Sequence, residues 1–327
     1  MDDSHPFSLL CQLAGETDDV RKLENLFCQI RDVNETDIYK RKPLWYAAKT
    51  NTCLEILISF LNAKAVVDYK IVENAVINNP NDEVAIYLYN QIKPLNKNEL
   101  DKLFLLATAS KLSLYLAKYF LEEGASLEAT LEMDIYPNIN SIEDDILDED
   151  FLWEDDYGVA QNAIVIAIYE NQNSLEIVKG LIEIGVDVNR VDAEGFTPLF
   201  HALDNNELVK VLIEGGADFN KVDDDGKTAL MHACLSENND VALTLIKYGC
   251  DVNKLSLEGE NALHYALSGH ISDNYAVIKA LIEAGCDVNQ RDSDLLLPLD
   301  IARFNFCSQK IINLLIENGA KMGSDFY

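Results

Sequence analysis

Residues 192–223 read DAEGFTPLFHALDNNELVKVLIEGGADFNKVD, and the rest of the chain is read against this stretch because the sequence repeats it. The next copy, sharing Asp223, is DDDGKTALMHACLSENNDVALTLIKYGCDVNKLS; LEGENALHYALSGHISDNYAVIKALIEAGCDVNQRD follows. Asn220, Asn253 and Asn289 close successive copies, 33 and 36 residues apart, and Asn189 closes another 31 residues earlier. Self-similarity at a fixed period of this length marks an array of small stacked units, none of which buries its apolar face alone.

Each copy carries the same physical devices. A turn with Gly195, Gly226 or Gly259 leads to Thr197-Pro198, Thr228-Ala229 or Asn261-Ala262. Thr or Asn can accept from the orphan amides of a helix start, and Pro suits the first helical position, where no donor is needed. A short apolar helix then ends near Ala202, Ala233 or Ala266. The second helix carries LVKVLIE, VALTLIK or VIKALIE, with apolar residues at the 3.6-residue period of an amphipathic helix. Gly216, Gly249 and Gly285 stop it where a left-handed cap suits glycine.

The pattern G-x-T-P-L-x-x-A, a second helix, then G-A-D-x-N resembles the ankyrin repeat. The resemblance is strong over 158–323 and degenerate over 8–127. It implies an all-α fold: an ankyrin-repeat solenoid of helix-turn-helix units with β-turn tips, about nine units, and one long acidic insertion. The expected domains are degenerate ankyrin-like helical repeats over 1–129, an acidic insertion loop over 130–157, ankyrin repeats with a terminal cap over 158–323, and a tail over 324–327. Within the third, units run 158–192, 193–223, 224–256, 257–292 and 293–323. The last lacks the turn glycine and the DVN ending, and its closing helix carries Gln309, Lys310, Asn313, Glu317 and Asn318, a polar set suited to a cap that faces water.

In the first half, Ala14, Ala47, Ala75 and Ala107 stand as equivalent positions, 33, 28 and 32 residues apart. A separate small helical domain is the alternative to continuity. Ala167 lies 60 residues after Ala107, so about 27 residues are extra. They fall in TLEMDIYPNINSIEDDILDEDFLWEDDYG, within a span that holds no Lys or Arg between Lys118 and Lys179. Acidic blocks stay solvated, and insertions in repeat proteins map to loops on one face. Phe151 and Trp153 set among these carboxylates have two readings: they fold back over the gap between units, or they dock on a basic partner. No D-x-D-x-D-G spacing supports a calcium site.

Composition narrows the function. A formal net charge of −30 over 327 residues repels phosphate backbones and anionic lipid and favours a basic protein surface, so nucleic acid is not an expected ligand. The N-terminus has no signal-peptide pattern and no apolar run is long enough to span a bilayer, so an intracellular, cytoplasmic chain without membrane insertion is expected. Seven cysteines without CxxC spacing suit a reducing compartment. No catalytic, phosphate-binding or metal motif is present, so neither catalysis nor a cofactor or metal is expected. His264 occupies the position where the ankyrin pattern prefers His and is expected to brace neighbouring turns; His201 and His232, one residue later, are expected to pack. Cys250 and Cys286 share a repeat position with Ala217 and Val186, as small core residues.

What remains is a surface for a protein partner. By resemblance to ankyrin complexes, the contact positions flank the turn glycine and follow the alanine pair. They are Tyr169 and Glu170; Glu194, Phe196, Asp204 and Asn205; Asp225, Lys227, Leu235 and Ser236; Leu257, Glu258 and Glu260; Leu296, Phe304 and Asn305. The other reading of Phe196, Leu257 and Phe304 is packing between units. Asn189, Asn220, Asn253 and Asn289, each with Leu eight and Asp two residues earlier, resemble ankyrin sites of asparaginyl hydroxylation; the plainer reading is a backbone bond to the neighbouring turn. The function expected is that of a monomeric scaffold or adaptor, of the kind also found among effectors that bacteria deliver into host cells. An enzyme module in residues 1–157 with the array as its targeting device is the alternative.

Overall fold

The computed structural model describes residues 6–110, 114–132, 160–192, 195–268 and 274–323. It divides into two compact units, Met1–Leu181 and Ile182–Tyr327, with the boundary inside one helix.

The first unit is built from helical pairs: α1 (Pro6–Glu16) and α2 (Val20–Phe27), α3 (Pro43–Thr50) and α4 (Leu54–Asn62), α5 (Tyr69–Asn78) and α6 (Asp82–Ile92), α7 (Lys97–Ser110) and α8 (Tyr115–Glu122). After a break come α9 (Ala163–Glu170) and α10 (Ser174–Glu183). The first helices form one row, α1 on α3, α3 on α5, α5 on α7 and α7 on α9. Small residues let these backbones approach: Ala14, Ala47, Ala75, Ala107 and Ala167 are all buried, as their spacing predicts.

Asparagines tie the row together. Asn51, at the end of α3, donates through Nδ2 to Ala14 O at 3.0 Å and Thr17 O at 2.6 Å. Asn79, at the end of α5, reaches Ala48 O and Asn51 O, both at 2.9 Å. Asn171, at the end of α9, reaches Thr108 O at 2.7 Å, so α9 continues the row across the insertion. Two strands, β1 (Thr130–Glu132) and β2 (Ala160–Asn162), bring the ends of the insertion together as an antiparallel pair with Leu131 opposite Gln161. This ribbon is an addition to the all-helical expectation. Joining the ends locally lets the inserted length grow at little cost, since loop closure scales with the logarithm of length.

In the second unit the pairs are α11 (Pro198–His201) and α12 (Asn206–Glu214), α13 (Ala229–Leu235) and α14 (Asn239–Tyr248), α15 (Ala262–Ser268) and α16 (Tyr275–Glu283), α17 (Pro298–Phe304) and α18 (Gln309–Glu317). First helices pack on first and second on second throughout. Ala202, Ala233, Ala266 and Ala302 are buried. The expected caps hold at Thr228, which accepts from Met231 N at 3.3 Å, and at Asn261, which accepts from Leu263 N at 3.1 Å. Thr197 departs from the expectation: its Oγ1 is buried and caps nothing. The Phe200 amide bonds the Thr197 backbone O at 2.9 Å instead, and α11 is only four residues long. Gly249 ends α14 with φ +87°, a left-handed conformation that a side chain would strain. On α18, Gln309, Lys310, Asn313, Glu317 and Asn318 are exposed, as a terminal cap requires.

Candidate protein-binding face

The tips before the first helices share one geometry. At Asp223, the backbone N donates to Lys227 O and receives the return bond from Gly226 N on its own O, both at 3.0 Å. The pattern recurs at Asp192, Ser256 and Asp292 of the second unit and at Asp37 of the first. The fourth residue of each turn is left-handed: Gly195, Gly226 and Gly259, but also Leu295 at φ 65° and Lys40 at φ 58°. The missing glycine of the last unit therefore leaves the turn intact, with leucine in the strained position.

The acid that opens the turn also holds it closed. Asp223 Oδ1 accepts from Asp225 N at 3.0 Å and Lys227 N at 2.8 Å, while its Oδ2 lies 2.6 Å from His232 Nε2. Asp192 likewise accepts from Phe196 N at 2.9 Å and lies 2.7 Å from His201 Nε2. The side chains of these two aspartates are only 5% and 3% exposed. Asp37 accepts from the Tyr46 hydroxyl in the same arrangement. His201 and His232 thus do more than pack: each locks the turn nine residues upstream. His264 is fully buried, its Nδ1 2.7 Å from Asn261 Oδ1. Burial holds its imidazole below the ordinary histidine range, against the pull of Glu260, Asp292 and the Gln290 backbone of the next turn.

Neighbouring tips are bonded to one another. Leu257 N donates to Asp225 O at 2.9 Å, and Ser293 N to Glu258 O at 2.7 Å. Ser293 Oγ also donates to Glu258 Oε2 at 2.8 Å. A Cβ at Gly226 would stand 3.0 Å from Leu257 N, so the stacking needs glycine there.

On this frame the expected contact residues separate. Leu257 and Phe304 are 77% and 82% exposed, and Leu235 and Leu296 are also exposed. Phe196 is not a free anchor: its ring meets Phe200 at 5.3 Å, His201 at 6.0 Å and His232 of the following repeat at 5.9 Å. The half-buried ring supports the reading of packing between repeats for that residue. Asp204 is exposed, while Asn205 caps α12 by accepting from Glu207 N and Leu208 N. Asp225 is exposed and paired with Lys227 at 3.0 Å. Ser236 bonds His232 O at 2.8 Å, and Asn305 bonds Leu267 O at 3.0 Å, so both serve the scaffold. Glu258 is exposed and Glu260 half-buried. In the first unit, Tyr169 is exposed and Glu170 half-buried at the end of α9. Glu194, Phe151 and Trp153 lie outside the described residues.

The closing asparagines bond across repeats, Asn189, Asn253 and Asn289 through both ends of the amide. Asn189 Nδ2 donates to Gly216 O at 3.0 Å and its Oδ1 accepts from Asp218 N at 2.7 Å. Asn253 and Asn289 repeat this with Gly285 O and Asp287 N, and with Gly319 O and Lys321 N. Asn220 Oδ1 accepts from Asp251 N at 2.8 Å. The same clasp joins Asn34 to Lys64 O and Val66 N in the first unit, unforeseen because nothing around Asn34 spells DVN. Also unforeseen is the tip at Asp37, where Ile38 and Tyr39 are exposed and the Arg41 guanidinium lies 4.8 Å from the Tyr39 ring and 4.7 Å from the Trp45 ring. The nine-residue interval from Asp37 to Tyr46, matching Asp192 to His201, was the available signal.

All seven cysteines are free thiols. Burial pushes Cys11, Cys250 and Cys286 up to about 12 and Cys234 higher still, which suits the core role expected of Cys250 and Cys286. Among the described residues no group of His, Cys, Asp and Glu is placed to hold a metal ion, and no helix is long and apolar enough to cross a membrane.

The family model for ankyrin repeats (3 copies) matches residues 164–256 and 248–325. No curated protein matches the chain. With that match added to the turns, buried alanines and asparagine clasps, the chain belongs to the ankyrin-repeat proteins.

Proposed function

We propose that the chain is a non-catalytic scaffold that holds a basic protein surface on the tip face of its second unit. One observation carries this reading: Leu235, Leu257, Leu296 and Phe304 are left exposed on a frame whose Ser236 and Asn305 side chains are engaged in holding it. Apolar anchors supply affinity, while Asp225, Glu258 and Asp294 at the same tips supply orientation and on-rate for a basic partner. Ankyrin repeats mediate protein–protein interaction, which supports the class of partner. The net charge of −30 supports the sign, and opposes self-association, so the chain acts as a monomer. Seven cysteines without paired spacing suit a reducing, intracellular location.

The alternative of an enzyme module in residues 1–157 has less behind it, since the described residues from Pro6 to Glu122 are built into helical pairs on the repeat plan. The acidic insertion remains a second candidate contact through Phe151 and Trp153. Affinity capture separates the two. The intact chain is compared with Leu257→Ala/Leu296→Ala/Phe304→Ala and with a chain in which residues 133–157 are replaced by a short glycine linker. The reading expects partners lost from the triple variant and kept by the deletion. Partners lost only with the insertion would move function there.

A further inference from the structure

Beyond the exposed tips, the last repeat holds a built cleft of ≈470 Å³, inside the roughly 300–1,000 Å³ range of ligand sites. Its walls are Leu295 and Leu296 from the tip, and Ile301 and Phe304 from α17. Ile301 stands nine residues after Asp292, where the earlier repeats carry His201 and His232 against their aspartates. Replacing the histidine by isoleucine removes the polar lock and leaves an apolar floor. The left-handed Leu295 keeps the tip turned while presenting an exposed side chain where other repeats have glycine.

The rim carries one cation, Arg291, against the carboxylates of Asp294 and Asp300 and, on the adjoining tip, Glu258. Asp300 is committed, accepting from Leu297 N at 3.1 Å and from Gly323 N at 3.0 Å. Asp294 is exposed at the mouth, and the Glu258 carboxylate stands on the adjoining tip through its bond to Ser293.

We propose that this cleft seats one aliphatic or aromatic side chain of a segment of the partner, with Lys or Arg on either side of that anchor meeting Asp294 and Glu258. The inference rests on the tip-face reading and adds the recognition element: an apolar anchor with basic flanks. A second copy of this chain is the disfavoured occupant, because it would bring the same negative charge to the rim.

The test uses the full chain and defined probes: fluorescently labelled twelve-residue peptides with a central Phe flanked by two Lys on each side, with Ala in place of the Phe, or with Glu in place of the Lys. Fluorescence polarisation is read at low salt against the wild type, Leu296→Ala/Phe304→Ala, and Leu235→Ala/Leu257→Ala. All the substituted side chains are exposed, and thermal melts check that both variants keep the wild-type transition. The expected result is binding of the Phe–Lys peptide weakened at least tenfold by loss of the Phe, by the Glu exchange and by the cleft variant, but less than threefold by the other variant. Binding weakened only by Leu235→Ala/Leu257→Ala would overturn the cleft and leave the tip face standing. Binding weakened by neither variant, or no binding, would remove both. Sedimentation showing a wild-type dimer abolished by Phe304→Ala would assign the cleft to a second copy and overturn the proposal.

Discussion

Asp223 accepts from His232 and from two backbone amides while its carboxylate is almost excluded from water. Asp223→Ala leaves those donors without partners, and a buried unsatisfied group costs about 1–3 kcal/mol each. We expect a loss of about 2–4 kcal/mol in urea unfolding; a loss below roughly 0.5 kcal/mol, the range of an ordinary surface change, would contradict the lock. His264 gives a pH signature. Its folded pKa is depressed by burial, so below about pH 6.5 the unfolded chain takes a proton that the folded chain refuses. The stability difference between wild type and His264→Gln should therefore shrink as pH falls through that range, and a difference constant from pH 8 to pH 5 would be inconsistent with a buried neutral ring. The cysteines are a third check: under native conditions iodoacetamide should label exposed Cys28 well before Cys234, Cys250 and Cys286, followed by peptide mass spectrometry. Equal labelling would show that these three are not in the core.

Among the elements, the helices were legible because apolar spacing, Pro43, Pro198 and Pro298, and the buried alanines all act within a few residues of sequence. The turns were legible only where glycine marked them. Lys40, Lys64 and Leu295 occupy left-handed positions with side chains that hide them. Lys64 is the counterpart of Gly216: its N bonds Leu61 O and its O receives Asn34, as Gly216 bonds Ile213 O and receives Asn189. Lys64→Gly should therefore raise stability by about 1 kcal/mol, since glycine keeps the left-handed conformation without the roughly 1 kcal/mol it costs a side chain. A clear destabilisation of Lys64→Gly would argue that the long side chain has another structural use. The candidate site was legible by position, through the repeat register, but not by exposure. Phe196, beside the turn glycine, and Phe304, after the alanine, both read as aromatic anchors in sequence; the ring of His232 in the next repeat stands against the first, while the second is 82% exposed. The β1–β2 ribbon was not legible, because three-residue strands have too little pattern to stand out beside an acidic block.

For the whole molecule, charge and exposed anchors together make the functional argument. Screening at physiological ionic strength reaches about 8 Å, so association steered by the acidic tips should slow several-fold between 50 and 300 mM salt while the apolar anchors hold the dissociation rate nearly constant. The most direct measurement is site-specific photocrosslinking. A benzophenone side chain is placed in turn at Leu257 and Phe304 on the proposed face, and at Tyr248 and Glu317 as controls away from the tips. The account predicts that the face positions crosslink to the same lysine- and arginine-rich proteins and that the controls do not. Equal crosslinking from all four positions, or none from Leu257 and Phe304 while a partner is still captured, would contradict it.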